Sequence, residues 1–250
     1  MKEEFSTEAI NLNSTDFGEN DKIVRVYSKT DGLLSCVVRG CRKSKSRNAG
    51  AVQPFISNYL FLSRRKNLNV LYKADSLNPF FKIRTDCDKM FYSMYCAEVV
   101  ETFGNENDDE SEKIYEVLYK FLNAVSEAAN KTQIMLSTIK FQLKAAKAFG
   151  YAPELNKCTI CGEKIKGEYC GFSAGLGGIV CLSHNRTVKK LHPKILDFLR
   201  EMSDADFTFE TYYDRKANEQ VCKACFGMIS DYLQYVAARK FKTFEILQTV

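Results

Sequence analysis

Two short hooks, Cys158-x2-Cys161 and Cys181-x2-His184, carry the chain's most chemically specific spacing, with nineteen residues between them. Each hook presents two soft ligands from one tight turn, as tetrahedral zinc requires of neighbouring ligands. Gly162 follows the first hook, and Gly177 and Gly178 lead into the second, so the backbone can approach the sulfurs without a Cβ in the way. A Cys3His set supplies four protein ligands and leaves no vertex for water. Such an ion holds a fold together and does not hydrolyse a substrate. Cys170 lies between the hooks, and Cys222-x2-Cys225 forms a further pair, so both compete with His184 for the fourth vertex. Cys36, Cys41, Cys87 and Cys96 stand among apolar residues and read as small core hydrophobes. His192, before Pro193, reads as a surface or helix-start residue.

Signals for catalysis are thin. The chain has two histidines, neither a G-x-S-x-G elbow nor a G-x-x-x-x-G-K-[ST] phosphate loop, and its Gly-rich run GFSAGLGGIV reads as hairpin turns carrying the second hook. The acids at 108–110 sit in a hydrophilic connector, where solvated carboxylates are expected. We read the protein as a non-enzyme.

A second pattern is electrostatic. Between Lys22 and Lys73 stand twelve bases and the single acid Asp31, a net +11 in a chain of net +5, so the remaining residues carry −6. Residues 39–50, RGCRKSKSRNAG, place Arg39, Arg42, Lys43, Lys45 and Arg47 among small polar residues, and Arg64, Arg65 and Lys66 follow. Bases on a flexible loop suit phosphates, and each phosphate neutralised releases condensed counterions, giving salt-dependent binding that is largely blind to sequence. The alternative is a solvated charge run that only maintains solubility. Tyr27, Phe55, Tyr59, Phe61 and Tyr72 are available to stack on bases, although most must fill the core of so small a module.

These residues need elements to position them. Five β-branched or aromatic runs, TEAINLN, KIVRVYS, LLSCVVRG, FISNYLFLS and NVLYKADSL, occupy the first 80 residues and are separated by turn formers. Five short strands in that length suggest a small closed barrel of the oligonucleotide-binding type. After Pro79 the period becomes helical, over DKMFYSMYCAEVVETF, then EKIYEVLYKFLNAV with an apolar stripe from Ile114 to Val125, then about 132–149, stopped by Gly150 and Pro153. Two later helices, KILDFLREM and CFGMISDYLQYVAARKF, follow the hooks. The expected class is therefore α+β, with residues 1–80 an OB-type nucleic-acid-binding domain and 81–250 a helical domain carrying a zinc finger inserted at about 154–186. No secretion signal and no run of 18 apolar residues is visible, so a cytoplasmic protein without a membrane span is expected, whose ten cysteines stay reduced.

Taken together, the stretch GENDKIVRVYSKTDGLLSCVVRGCRKSKSRNAGAVQPFISNYL and the segments GYAPELNKCTICG and FSAGLGGIVCLSH resemble the RecO family of bacterial recombination mediators. The resemblance covers most of the chain. It implies a protein that binds single- and double-stranded DNA, anneals complementary strands and helps to load the recombinase RecA. Its implied partners are RecR and the acidic, apolar tail of single-stranded DNA-binding protein, in a nucleoid-associated setting. Carried over, Cys158, Cys161 and Cys181 match the family's cysteine ligands to one structural Zn2+, and His184 stands where the commoner pattern has a fourth cysteine. Arg39, Arg42, Lys43, Lys45 and Arg47 match the family's basic segment by type. The rival readings are an RNA-binding factor of the same architecture and a metal-dependent nuclease.

Overall fold

The computed structural model describes residues 3–43, 46, 48–50, 52–65, 68–184, 190–210 and 217–249. Lys45, Arg47 and Lys66, expected to face DNA, lie outside the described residues.

Strands β1 (Glu3–Phe17), β2 (Asp21–Ser28), β3 (Gly32–Val38), β4 (Ser57–Arg64) and β5 (Asn69–Asn78) form a closed barrel in the order β1-β2-β3-β5-β4. Closure follows from the length of β1. Its first half pairs antiparallel with β4, from Glu3↔Arg64 to Ile10↔Ser57, and its second half pairs with β2, with a register shift between Asn11 and Asn13. One bent strand thereby serves two neighbours. The ring closes on the other side through a parallel pairing of β3 with β5, which removes every open edge. Alternation then sends Val24 and Val26 of β2, Leu34, Cys36 and Val38 of β3, Leu60 and Leu62 of β4 and Leu71 of β5 inward, with Cys41 and Val52 capping the core.

Three helices follow: α2 (Cys87–Phe103) and α3 (Ser111–Glu127) pack on this barrel, and the short α1 (Phe81–Arg84) packs on them. Asp86 caps α2 by accepting from the Lys89 N–H, and the stripe Ile114, Leu118, Phe121, Leu122 and Val125 of α3 is buried as its period demands. Backbone bonds from Leu33 to the Asn105 carbonyl and from Asn107 to the Asp31 carbonyl join the α2–α3 connector to the barrel. Contacts divide the chain after Glu127, so these helices belong with the barrel in one compact unit.

The second unit, Ala128–Val250, is built on α4 (Lys131–Ala148), which is almost wholly buried. Asn130 caps it. Against it pack α5 (Pro193–Asp204) and α6 (Glu219–Val236), and α7 (Lys242–Thr249) follows. Two buried polar side chains of α4 donate across the unit: Gln142 Nε2 to Ser230 Oγ at 2.8 Å and Lys140 Nζ to the Thr208 carbonyl at 2.5 Å. Where the sequence suggests one helix over 225–241, the helix observed there ends at Val236 and a second begins only at Lys242. The first starts earlier, at the Asn218 cap. It stops at Ala237, where Ala238 turns left-handed (φ 50°) and the Gln234 side chain takes the Phe241 N–H.

Between α4 and α5 lies a small sheet of β6 (Cys170–Ser173), β7 (Gly178–Cys181) and β8 (Lys190–Leu191), in the order β7-β6-β8. The glycine-rich run is the β6–β7 hairpin, as its turn residues suggest.

Candidate metal centre and basic surface

The first hook is a tight turn whose main chain is bound on both sides. The Cys158 N–H donates to the Glu163 carbonyl at 2.8 Å, Gly162 N–H donates back to the Cys158 carbonyl at 2.9 Å, and Gly162 takes φ 75°, which a side chain would oppose. Thr159 N–H bonds the Ile179 carbonyl at 2.9 Å and so ties this turn to β7, which carries the second hook. At the start of β7 the Glu154 N–H donates to the Gly177 carbonyl and the Ile179 N–H to the Glu154 carbonyl, both at 2.9 Å, and a Cβ on the intervening Gly178 would collide with the Glu154 backbone. Hence the two turns meet face to face. The sulfurs of Cys158, Cys161 and Cys181 and a ring nitrogen of His184 all lie within 4.8 Å of one another.

That constellation fits a tetrahedral ion. Zn–S bonds of about 2.3 Å imply a sulfur–sulfur edge of roughly 3.8 Å, and Cys161 Sγ lies 3.9 Å from Cys181 Sγ. His184 Nδ1 lies 3.1 Å from Cys181 Sγ. The Ile160 and Cys181 N–H groups aim at Cys158 Sγ at 3.5 and 3.4 Å, contacts that stabilise a thiolate. Burial pushes the Cys158 thiol up, but the N–H groups of Cys161, Cys181 and Ile160 outweigh it and bring the group down to about 6. The site therefore has the donor set, spacing and polarity of a closed Cys3His metal centre.

The competing cysteines lie elsewhere. Cys170 is buried on β6, and burial raises its thiol to about 11. Cys222 and Cys225 are both buried on α6, and Cys225 is pushed up to about 12 by the same cause. Of the four cysteines read as core, Cys36, Cys41 and Cys96 are buried. Cys87 is exposed instead, because it opens α2 rather than lying on its buried face. His192 caps α5, accepting from the Lys194 N–H at 3.1 Å.

One positioning residue escapes the sequence reading. Arg200, on α5, donates from Nε to the Leu155 carbonyl at 2.9 Å and from a terminal nitrogen to the Ile165 carbonyl at 2.8 Å, while Asp197 accepts from its other terminal nitrogen at 3.2 Å. It bolts the segment bearing the first hook to the helix. A lone arginine on an amphipathic helix gives no sequence signal of this.

The bases of the barrel unit divide into two groups. Arg64 sits among acids, 2.9 Å from Asp31, 3.7 Å from Glu3 and 3.9 Å from Glu106, with Phe5 under its guanidinium at 4.6 Å. Arg42 lies 3.3 Å from Asp16, which also holds Lys22 at 2.9 Å, and Lys29 lies 3.3 Å from Glu112. Arg39, Lys43 and Arg65 are exposed and have no ion pair among the described residues. The loop that carries two of them is a chain of turns: Gly40 N–H bonds Asp21 Oδ1 at 2.7 Å, Lys43 N–H the Gly40 carbonyl at 3.2 Å, and Ser46 N–H the Lys43 carbonyl at 3.0 Å.

With barrel, finger and basic loop in place, comparison with known proteins decides the family. The model of the N-terminal part of recombination protein O matches residues 1–80, and that of its C-terminal part matches residues 84–245. The chain belongs to the RecO family. Among its relatives, the DNA repair protein RecO of Thermoanaerobacter is 31% identical over 204 residues, covering 80% of each chain. The RecO of Gloeobacter violaceus is 32% identical over 202 residues, 80% of this chain and 77% of its own. That of Desulforamulus reducens is 27% identical over 246 residues, 97% of this chain and 93% of its own. Among the described residues no helix is long and apolar enough to cross a membrane.

Proposed function

We propose that this RecO-family protein is a mediator of DNA repair and homologous recombination that binds single- and double-stranded DNA and anneals complementary strands. The observation that carries the reading is the set of exposed bases with no carboxylate partner among the described residues, Arg39, Lys43 and Arg65, on a barrel of the oligonucleotide-binding type. Cations already paired within the fold have less to gain from a phosphate, whereas these three are available to displace counterions. Screening of two phosphate backbones by one cationic surface lets complementary bases meet, which needs no nucleotide cofactor and no catalytic residue. The names of the relatives, DNA repair proteins RecO, agree with this setting.

In this reading residues 1–80 are the nucleic-acid-binding domain and the helical remainder carries the finger. Cys158, Cys161, Cys181 and His184 hold one structural Zn2+, which supplies folding energy rather than chemistry. The protein acts in the cytoplasm, in association with the nucleoid. RecR and the acidic tail of single-stranded DNA-binding protein are its partners, and RecA loading is the downstream result. The test is annealing of complementary oligonucleotides with and without the cognate single-stranded DNA-binding protein. Annealing of naked strands, retained on coated ones, is expected. Annealing no faster than in buffer, from a protein that is folded and metal-loaded, would overturn the proposal.

A further inference from the structure

The five aromatic residues that could stack on bases have different fates. Tyr27 and Phe55 are buried. Tyr59 stands edge-on to Phe61 at 5.3 Å, with its hydroxyl on Ser6, and the Phe61 face is covered by the Lys73 ammonium at 4.8 Å. Tyr72 alone of the five is widely exposed, at 49%.

Its exposure has a structural cause. Leu62 of β4 pairs with Leu71 of β5 and Phe61 with Lys73, so Tyr72 is the extra residue of a β-bulge, turned out of the ladder. On the other side of β5 the parallel register runs Cys36↔Asn69, Val37↔Val70, Val38↔Leu71. The pairing ends there: Arg39 follows Val38 into the turn that opens the basic loop, and Tyr72 follows Leu71 along β5. The basic loop returns to the same point, where Asn48 Nδ2 donates to the Tyr72 carbonyl at 3.5 Å. A flat exposed ring thus stands on β5 where Asn48 of the basic loop bonds the strand, and that loop also carries the exposed bases Arg39 and Lys43, which have no ion pair among the described residues. Phe17, an exposed aromatic at the end of β1, is flanked by Asp16 and paired with Asp21 instead.

We propose that Tyr72 is a base-stacking subsite: it takes one unpaired nucleobase on its ring while Arg39 and the basic loop take the adjoining phosphates. The ligand class is single-stranded nucleic acid, because in a duplex both faces of each base are already covered by neighbours. Base–aromatic stacking tolerates any sequence, as an annealing protein requires. This inference rests on the reading of the basic loop as a nucleic-acid surface.

The protein contains no tryptophan, so Tyr72→Trp installs a single reporter. Saturating oligothymidine should quench that fluorescence, and a duplex of equal length should quench it far less. Tyr72→Ala should weaken oligothymidine binding about 5- to 100-fold, the range of one lost stacking contact, and leave duplex affinity and the salt dependence unchanged. Tyr72→Phe should restore binding, since the ring and not the hydroxyl carries the contact. An unquenched Tyr72→Trp at saturation, or a Tyr72→Ala protein that binds oligothymidine as wild type does, would overturn the proposal while leaving the loop's role intact. Equal losses on single strands and duplex would overturn it too, since those report damage to the loop. A wild-type protein that binds neither probe would remove the underlying reading and this one with it.

Discussion

If exposed unpaired bases grip phosphate and paired ones hold the fold, then replacing each group should produce opposite signatures. Consider Arg39→Ala/Lys43→Ala/Arg65→Ala against the single variant Arg64→Ala. The triple variant removes three cations with no ion pair among the described residues. If each meets one phosphate of a single strand, the log-affinity against log-salt slope should fall by about 2.1, and on duplex by about 2.7. Across a fourfold rise in salt, wild type should therefore lose roughly 20- to 40-fold more affinity than the variant. Folding should be almost untouched, since exposed side chains of this kind contribute within about 0.5 kcal/mol. Arg64 behaves differently, because its side chain is one-third exposed and faces Asp31, Glu3 and Glu106 over the Phe5 ring. Solvent screens these pairs, so Arg64→Ala should cost about 1 to 2 kcal/mol of stability in all, with little change in slope. Fluorescence anisotropy over a salt series, with denaturant melts of each protein, reads both quantities. A slope lowered as much by Arg64→Ala as by one-third of the triple variant, in a protein of unchanged stability, would refute the division of the bases.

The metal centre makes its own demands. Protein purified without added metal should carry about one equivalent of zinc, and Cys158→Ser should lower metal content and thermal stability together, as elemental analysis and calorimetry would show. His184→Ala should loosen the metal, whereas Cys170→Ala and Cys222→Ala should leave its stoichiometry unchanged, because neither belongs to the constellation within 4.8 Å. Burial raises Cys36 and Cys225 to about 12. Since these folded-state values lie above the unfolded ones, the two thiols contribute full stability below about pH 8.5 and lose it as pH climbs towards 12. In the native protein at pH 8, exposed Cys87 should be alkylated while those two are spared, as peptide mass mapping would reveal. Asn130→Ala, which removes the oxygen accepting the Gln133 N–H at the start of α4, should cost about 1 kcal/mol in denaturant melts.

Local chemistry was strong enough to be read along the chain. The five barrel strands alternate with period two and are punctuated by turn formers, and each observed strand overlaps its expected run. Of the helices after Pro79, α3 shows its 3.6-residue stripe. Their ends obey caps, Asp86, Asn130 and Asn218, that any sequence displays. The end of α6 was not legible: the break before α7 needs Ala238 at φ 50° and the Gln234 side chain on the Phe241 N–H, neither of which the helical period signals. The exposed position of Cys87 likewise follows from its place at a helix start and not from its apolar neighbours.

By itself the sequence determined the barrel, the helical remainder and the two hooks, because periodicity and ligand spacing are properties of neighbours. It also placed an excess of +11 between Lys22 and Lys73. Only the tertiary structure decided which of those charges remain available. Acids lying far off along the chain, Asp16, Glu106 and Glu112, return to Arg42, Arg64 and Lys29 through closure of the barrel and packing of α3. Folding likewise brought His184 rather than Cys170 to the three sulfurs and Arg200 to the back of the finger. A bulge turned Tyr72 outward, where Asn48 of the basic loop bonds its carbonyl. Each depends on distances across the fold, which fall off too steeply for charge or stacking to be assigned from sequence order.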